Sequence, residues 1–373
     1  MPRTSILYRT FHRAVGIVGM PNVGKSTLFN ALTRSEQAQA ANYPFCTIDP
    51  NIAKVAVPDE RLGTLASLVG SKKIIESQIE FVDIAGLVRG ASQGEGLGNQ
   101  FLENIRQVSV LAHVIRCFED EDIIHVENTV DPVRDCVTIE SELILSDLMR
   151  LEKHLATIKK KAKNVKTSSV EIPFLERLVP WLEEGHPASK FAIEAEGEEK
   201  VMTALQLLSS KPMMYLCNVS EDDASTGNAH TKEVEGHVGQ SCLIVSGALE
   251  EAAAAFEDSA SQMEYLACCG LEETGLTQVL RASRELLHLQ TFYTVGPQEA
   301  RAWHIQKGAT APQAAGVIHS DFEQSFIRAE TIAFDDFIET GSEAAARSNG
   351  LLRAEGKEYQ CKDGDVFHFL TGK

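Results

Sequence analysis

The chain has 373 residues, 43% of them hydrophobic, and a formal net charge of −18. Its length predicts two or three domains. The negative charge argues against a general DNA- or RNA-binding protein, because such a protein needs clustered lysine and arginine. No run approaches about 18 consecutive apolar residues, so we expect no membrane span. The eight cysteines include no C-x-x-C pair, which favours buried thiols over a zinc site or a disulfide framework.

The N-terminal segment, residues 1–13, is basic. It carries three arginines and a histidine, and the first acidic residue of the chain is Glu36. This bias is compatible with a basic tail on a cytoplasmic protein, which is our expectation, and with a mitochondrial transit peptide, which is the alternative.

A phosphate-binding loop follows an apolar strand pattern at 14–18. Residues 19–27 read GMPNVGKST, a full match to G-x-x-x-x-G-K-[ST], and a helical pattern comes next. In such a loop the backbone N–H groups surround phosphates, the lysine supplies positive charge, and the hydroxyl coordinates magnesium. The N-terminus of the helix also favours an anion. The motif predicts that a nucleoside triphosphate is bound by Asn22, Val23, Gly24, Lys25, Ser26 and Thr27, with Ser26 also a ligand of Mg²⁺.

Two further segments match the parts of a nucleotide switch. Residues 42–50 form a polar segment with two prolines, and its Thr47 is suited to coordinate Mg²⁺ when triphosphate is bound. The alternative for Thr47 is an ordinary loop threonine. Residues 80–86, EFVDIAG, end an apolar run in D-x-x-G. We predict that Asp83 holds magnesium through water and that the N–H of Gly86 reaches the γ-phosphate.

The residue after D-x-x-G is Leu87, where Ras-like enzymes have a glutamine that orients the attacking water. Hydrolysis must therefore recruit another group or run slowly. The polar candidates are Arg89, Gln93 and His113. We favour His113 as the catalytic residue, because an imidazole can hydrogen-bond an attacking water. The alternative is a histidine of the core, since His113 lies in the apolar run 110–118.

Base recognition departs from the usual guanine pattern, because no N-K-x-D occurs in the chain. After the apolar run 213–217 stands NVSE instead, so the lysine is lost and a longer acid replaces the aspartate. Adenine presents an acceptor at its ring N1 where guanine presents a donor, so we expect ATP to bind more tightly than GTP. The predicted base-binding residues are Asn218, Val219 and Glu221.

A later strand pattern, 241–245, ends in Ser246, Gly247 and Ala248. Small residues there let a base edge approach backbone N–H groups, so these three are also predicted to bind nucleotide. An ordinary strand end is the alternative.

The middle of the chain predicts an antiparallel pair of helices. One narrow apolar stripe has four-three spacing and consists of Ile144, Leu148, Leu151, Leu155 and Ile158. We place the returning arm at Val201, Leu205 and Leu208, after a link broken by Pro173 and Pro180. Residues 150–166 hold seven lysines and arginines against one acid, which is typical both of a solvated helix face and of an RNA-facing tip. From about residue 290, short strands with frequent turns predict a separate β-rich domain.

These motifs together resemble the Obg-like ATPase family, also called YchF. The resemblance rests on residues 19–27, 42–51, 83–99, 218–221 and 301–319, and it covers essentially the whole chain except 1–13 and parts of 160–200. It implies an α/β fold: a P-loop NTPase sheet of the G-domain type wrapped by helices, an antiparallel helical-hairpin insertion and a C-terminal β-grasp-like TGS domain. The corresponding domain boundaries are 14–138, 139–208, 209–289 and 290–373.

The resemblance also implies a function. It implies a slowly hydrolysing ATP switch that uses Mg²⁺, with GTP as a second substrate to be tested. It implies association with ribosomes, at the large subunit or its RNA, through the helical insertion and the TGS domain, and we expect a monomer. In related proteins that lack the glutamine, an asparagine at the position of Asn22 can help to hold a monovalent cation. The alternatives are a conventional GTPase and a nucleotide-sensing scaffold with negligible turnover.

Overall fold

The computed structural model describes residues 14–40, 51–84, 97–162, 170–256 and 258–372. The chain divides into two compact units, Met1–Ala53 with Glu80–Val279 and Lys54–Ile79 with Leu280–Lys373.

The strands are β1 (Ala14–Val18), β2 (Ile52–Val57), β3 (Ile74–Ile75), β4 (Ser77–Asp83), β5 (Val110–Arg116), β6 (Met213–Asn218), β7 (Leu243–Val245), β8 (Leu289–Val295), β9 (Ala300–Gln306), β10 (Phe326–Ile332), β11 (Arg353–Glu355) and β12 (Val366–Thr371). The α-helices are α1 (Lys25–Ala40), α2 (Glu60–Val69), α3 (Leu97–Gln107), α4 (Pro132–Ala162), α5 (Glu171–Glu183), α6 (Glu198–Leu205), α7 (Ala229–Val238), α8 (Gly247–Ala253), α9 (Ser259–Cys268), α10 (Gly275–Leu286), α11 (Ala311–Ile318), α12 (Ser320–Gln324), α13 (Phe334–Thr340) and α14 (Glu343–Ser348).

The first of the two sheets has the strand order β2-β4-β1-β5-β6-β7. Strand β1 pairs in parallel with β4 and β5, and β5, β6 and β7 follow as parallel neighbours. Every residue of β1 and β5 is buried, as expected for central strands of a parallel sheet covered on both faces. The carboxyl ends of parallel strands meet at one edge, so the residues that follow β1, β6 and β7 are brought together there. The predicted α/β sheet wrapped by helices is confirmed.

A helical insertion follows β5. The predicted stripe of α4 is confirmed, because its five apolar residues pack in or against one cluster with Phe174, Leu175 and Leu178 of α5. The predicted position of the returning arm is wrong: the returning helix is α5, and α6 adds Val201 and Leu205 to the same cluster. Leu208 lies in a short 3-10 helix, Leu208–Ser210.

Pro173 and Pro180 were predicted to break the chain between two helices, but both lie within helix α5. Pro173 lies in the first turn, where the missing N–H has no helical partner in any case. Pro180 lies inside the helix and removes one hydrogen bond. The complete burial of Phe174, Leu175 and Leu178 contributes more than that loss, at about 1.5–3 kcal/mol for each side chain.

The second unit contains a mixed sheet with the order β11-β10-β12-β8-β9-β3. Strands β12 and β8 are parallel, while β8 with β9 and β10 with β12 are antiparallel. Helix α11 packs Ala311, Ala314 and Ala315 against Phe292 and Ile305 of this sheet. This mixed sheet, with α11 packed in one core cluster and α2 and α13 in another, is a β-grasp-like arrangement.

The division into units differs from the predicted domain boundaries at residues 54–79 and at residues 280–289. Residues 54–79 fall with the C-terminal part of the chain, because β3 pairs with β9 through Ile74 and Ile75 and because Leu62 and Leu65 of α2 share a core cluster with Tyr293. The second unit accordingly begins its C-terminal part at Leu280 rather than at 290.

None of the described helices is both long enough and apolar enough to cross a lipid bilayer.

Candidate functional site

The phosphate loop connects β1 to α1 through unusual backbone angles. Gly19, Asn22 and Gly24 have φ values of 155°, 61° and 96°, which glycine adopts without strain and asparagine tolerates better than most residues. A Cβ on Gly24 would also lie 2.2 Å from Nδ2 of Asn218. Glycine at position 24 is therefore required both by its backbone angle and by the close approach of Asn218.

Lys25 is the first residue of α1 and is buried. Its Nζ donates to the carbonyl oxygen of Met20 over 2.7 Å. Burial lowers the pKa of Lys25 to about 8, and the negative charge of Asp83 opposes that shift. A triphosphate would offset the cost of burying this charge.

Asp83 ends β4, and burial raises the pKa of its carboxyl group, against the attraction of Lys25. Its Oδ1 is buried and has no hydrogen-bond partner in the part of the chain that the structure describes. Ser26 stands exposed in the first turn of α1. A hydroxyl and an unsatisfied carboxylate oxygen are hard oxygen donors of the kind that Mg²⁺ prefers, so these residues fit that ion.

Four of the predicted switch and catalytic candidates, Thr47, Gly86, Arg89 and Gln93, lie outside the described residues.

Asn218 joins the phosphate loop to the predicted base loop. It is buried at the end of β6. Its Nδ2 donates to the carbonyl oxygen of Val23 over 2.9 Å, and its Oδ1 accepts from the N–H of Gly247 over 2.9 Å. One side chain thus contacts both the phosphate loop, 195 residues earlier in the sequence, and Gly247, 29 residues later.

The other predicted base-binding residues lie around this bridge. Val219 is buried and its N–H donates to Val245 over 2.9 Å, whereas Glu221 and Ala248 are exposed. The hydroxyl of Ser246 is buried without a hydrogen-bond partner among the described residues. A Cβ on Gly247 would lie 3.3 Å from Cγ2 of Thr27, so the loop Ser246–Ala248 packs directly on α1.

His113 lies in β5, with Val18 and Tyr215 as its neighbours in the adjacent strands. Its side chain is completely buried, and neither ring nitrogen has a hydrogen-bond partner among the described residues. Burial, together with the positive charge of Lys25, lowers the pKa of His113 to about 3. The imidazole is therefore neutral at physiological pH.

Two contacts of the site were not predicted from the sequence. Asn22, considered as a cation ligand, donates from Nδ2 to the carbonyl oxygen of Ile124 over 3.0 Å. Glu250, in the first turn of α8, accepts hydrogen bonds from the first turn of α10. The sequence marks Glu250 only as an acidic residue two positions after Ala248, and that pattern is too short to predict its contact with α10.

Comparisons with known proteins agree with this geometry. Residues 14–162 match a family model described as "50S ribosome-binding GTPase", and residues 289–371 match the model YchF-GTPase_C, described as "Protein of unknown function". The chain is 47% identical over 360 residues to "Ribosome-binding ATPase YchF" of Bacillus subtilis and 48% identical over 358 residues to the protein of the same name from Escherichia coli O157:H7. Each match covers 95% of this chain and 98% of the relative.

A solved structure resembles the whole chain as well. The YchF GTPase of Schizosaccharomyces pombe is 37% identical, has a TM-score of 0.86, and the match covers 96% of this chain and 97% of that one.

Proposed function

This chain belongs to the YchF family, as its motifs predicted, and from that premise we propose that it is a ribosome-associated ATPase whose nucleotide lies between the phosphate loop and the loop Ser246–Ala248. The observation that carries the proposal is the bridge formed by Asn218, which binds both loops at 2.9 Å. A nucleotide needs its triphosphate and its base held at a fixed separation, and a rigid shared anchor provides that.

The triphosphate would be bound by the loop N–H groups, by the N-terminus of α1 and by Lys25. Ser26 and Asp83 would hold Mg²⁺, the former directly and the latter through water, with Thr47 as a further ligand. When bound, Mg²⁺ neutralises phosphate charge and orients the oxygens of the triphosphate.

The relatives differ in the nucleotide that their names give, because the bacterial proteins are named ATPases and the S. pombe protein is named a GTPase. We propose that ATP is preferred. In place of the lysine of N-K-x-D this chain has Val219, a buried apolar residue, and Glu221 extends further than an aspartate would.

We expect ATP to bind at least tenfold more tightly than GTP, a difference of about 1.4 kcal/mol. Isothermal titration with each nucleotide in the presence of Mg²⁺, followed by phosphate release with each, measures this preference. Lys25→Ala is the matched control for the site, because it removes the cation of the loop and should abolish tight binding of both nucleotides alike. A tenfold preference for GTP would establish the conventional GTPase, and binding of ATP without turnover would establish the nucleotide-sensing scaffold.

Hydrolysis would be slow, since Leu87 cannot orient water. We propose His113 as the group that does so. Its proximity to Lys25, which lowers its pKa, supports a location near the phosphates, and its neutral imidazole retains one acceptor nitrogen.

For the ribosome, we propose that the helical insertion and the C-terminal domain make the contact, with the large subunit or its RNA as the surface bound. On this acidic protein, the second half of α4 in the insertion carries five exposed basic residues, and these are Arg150, Lys153, Lys159, Lys160 and Lys161. A monomer that acts in the cytoplasm completes the proposal, and a mitochondrial location is its alternative.

A further inference from the structure

The loop Ser246–Ala248 has two anchors. The first is Asn218, which accepts from the N–H of Gly247. The second is Glu250, in the first turn of α8, whose own N–H donates to the carbonyl oxygen of Ser246 over 2.9 Å. The position of Glu250 therefore fixes the position of the loop.

The side chain of Glu250 is tied to a different helix. Only 3% of the residue is exposed, and its Oε1 accepts from the N–H groups of Gly275 and Leu276 over 2.7 and 3.3 Å. Those groups open the twelve-residue helix α10, whose N-terminal end favours an acceptor. Burial raises the pKa of Glu250 to about 7, and the two N–H groups oppose that rise.

The approach of the two helices at this point is close. A Cβ on Gly275 would lie 3.0 Å from Oε1 of Glu250 and 3.0 Å from the carbonyl oxygen of Ile244. Glycine is thus the residue that lets α10 reach the carboxyl group.

Beside this contact is a cavity of about 150 Å³. The residues lining it include Ser225, Cys242, Ser246, Leu249, Glu250 and Gln278. The hydroxyl of Ser246 has no hydrogen-bond partner in the described part of the chain. The loop packs on α1 at Gly247, but on the side of this cavity it is not backed by close-packed side chains, so on that side its hydrogen-bonded anchors hold it in place.

We propose that Glu250 is a positioning residue for base recognition: by tethering α8 to α10, it holds the loop Ser246–Ala248 at the distance from the phosphate loop that an adenine nucleotide requires. The inference rests on the proposed role of this loop in binding the base. Glu250 itself touches no nucleotide. Its effect should therefore appear only with ligands that carry a base.

The test compares ATP with inorganic tripolyphosphate, which occupies the phosphate loop alone. Isothermal titration with both ligands is carried out on the unaltered protein and on Glu250→Ala, Glu250→Gln and Glu251→Ala. Glu251 is the matched control, because it is an exposed acid on the same helix. Phosphate release at saturating ATP gives kcat for each variant.

Glu250→Ala should weaken ATP binding about tenfold, the loss expected for a hydrogen bond to a charged group, and should leave both tripolyphosphate affinity and kcat unchanged. Glu250→Gln keeps an acceptor oxygen and should restore ATP affinity to within about twofold. Glu251→Ala should change neither affinity.

If Glu250→Ala does not fold, Gly275→Ala replaces it, because the added Cβ displaces the same carboxylate, and the same selective loss of ATP affinity is expected. The proposal is overturned if the loss affects tripolyphosphate equally, if kcat falls while affinity is kept, or if ATP affinity does not change. If the unaltered protein binds ATP no more tightly than tripolyphosphate, the loop Ser246–Ala248 does not bind the base. The proposed role of Glu250 is then rejected together with that of the loop.

Discussion

His113 is completely buried in a central strand and has a neutral imidazole. In this conformation the ring does not touch solvent, so a catalytic role requires a movement that admits water to it. Neither ring nitrogen of His113 has a hydrogen-bond partner among the described residues, and such a histidine is expensive to bury, which would be unusual for a residue whose only role is packing. The two roles make different predictions for the same variant.

We predict that His113→Ala lowers kcat about 100-fold or more and leaves ATP affinity nearly unchanged, because a group that orients water acts in the transition state. Phosphate release and thermal melting on one preparation measure both effects. His113→Phe is the companion variant, since it fills most of the space without an imidazole nitrogen. A lower melting temperature with unchanged kcat for both variants would assign His113 to the core and return attention to Arg89 and Gln93.

Lys25 provides a pH-dependent prediction, because burial lowers its pKa to about 8. Between that value and its ordinary 10.5, the folded protein binds fewer protons than the unfolded chain, so the contribution of Lys25 to stability increases as pH rises through this window. Triphosphate binding has the opposite requirement, since it needs the charged ammonium.

ATP affinity should therefore be constant about one unit or more below pH 8, begin to weaken as pH approaches 8, and fall by up to about tenfold per pH unit above it, with proton uptake on binding. Titrations in buffers of different ionisation enthalpy detect that uptake. Lys25→Arg keeps its charge at every accessible pH, so its affinity should not depend on pH in this range. A constant affinity for the unaltered protein up to pH 9 would contradict the lowered pKa.

Among the secondary-structure elements, those set by interactions between residues close in sequence were predicted correctly from the sequence pattern. The phosphate loop and the apolar stripe of α4 were both predicted from residue spacing, since periodicity and loop chemistry act within a few residues. The returning helix α5 was not predicted, because Pro173 and Pro180 were taken to break any helix in that segment. In the fold, the burial of Phe174 and its neighbours stabilises α5 by more than the one lost hydrogen bond costs.

Contacts distant in sequence could not be predicted in the same way. Nothing in residues 54–79 indicates that Ile74 pairs with Ala300, because strand pairing depends on the rest of the unit rather than on the segment itself. The tether from Glu250 to Gly275 is of the same kind. The predicted roles of Asn218 and Ser246 placed them near the base, but the hydrogen bond from Asn218 to Val23 could be found only in the folded chain.

At the scale of the whole molecule, charge is distributed unevenly. The chain has a formal charge of −18, yet the exposed residues toward the end of α4 are mainly basic, and only Lys159 among them has an ion pair that the structure describes, with Glu176 at 2.7 Å. An acidic protein is repelled by ribosomal RNA over most of its surface. Basic side chains in the last turn of the long helix α4 can contact RNA phosphates while the acidic surface stays out of contact with them.

We predict that Lys160→Glu with Lys161→Glu weakens co-sedimentation with purified ribosomes and reduces its dependence on salt, since each lysine that contacts a phosphate contributes about one unit to the slope of log affinity against log salt. Lys232→Glu is the matched control for Lys160→Glu made alone, because Lys232 is exposed, lies outside both the insertion and the second unit, and its replacement changes the net charge by the same amount. Binding measured between roughly 50 and 200 mM salt separates a local contact from a general charge effect. Equal weakening by Lys160→Glu and Lys232→Glu would show that the basic end of α4 is a solvated helix face, and the ribosome contact would then be sought on the C-terminal domain.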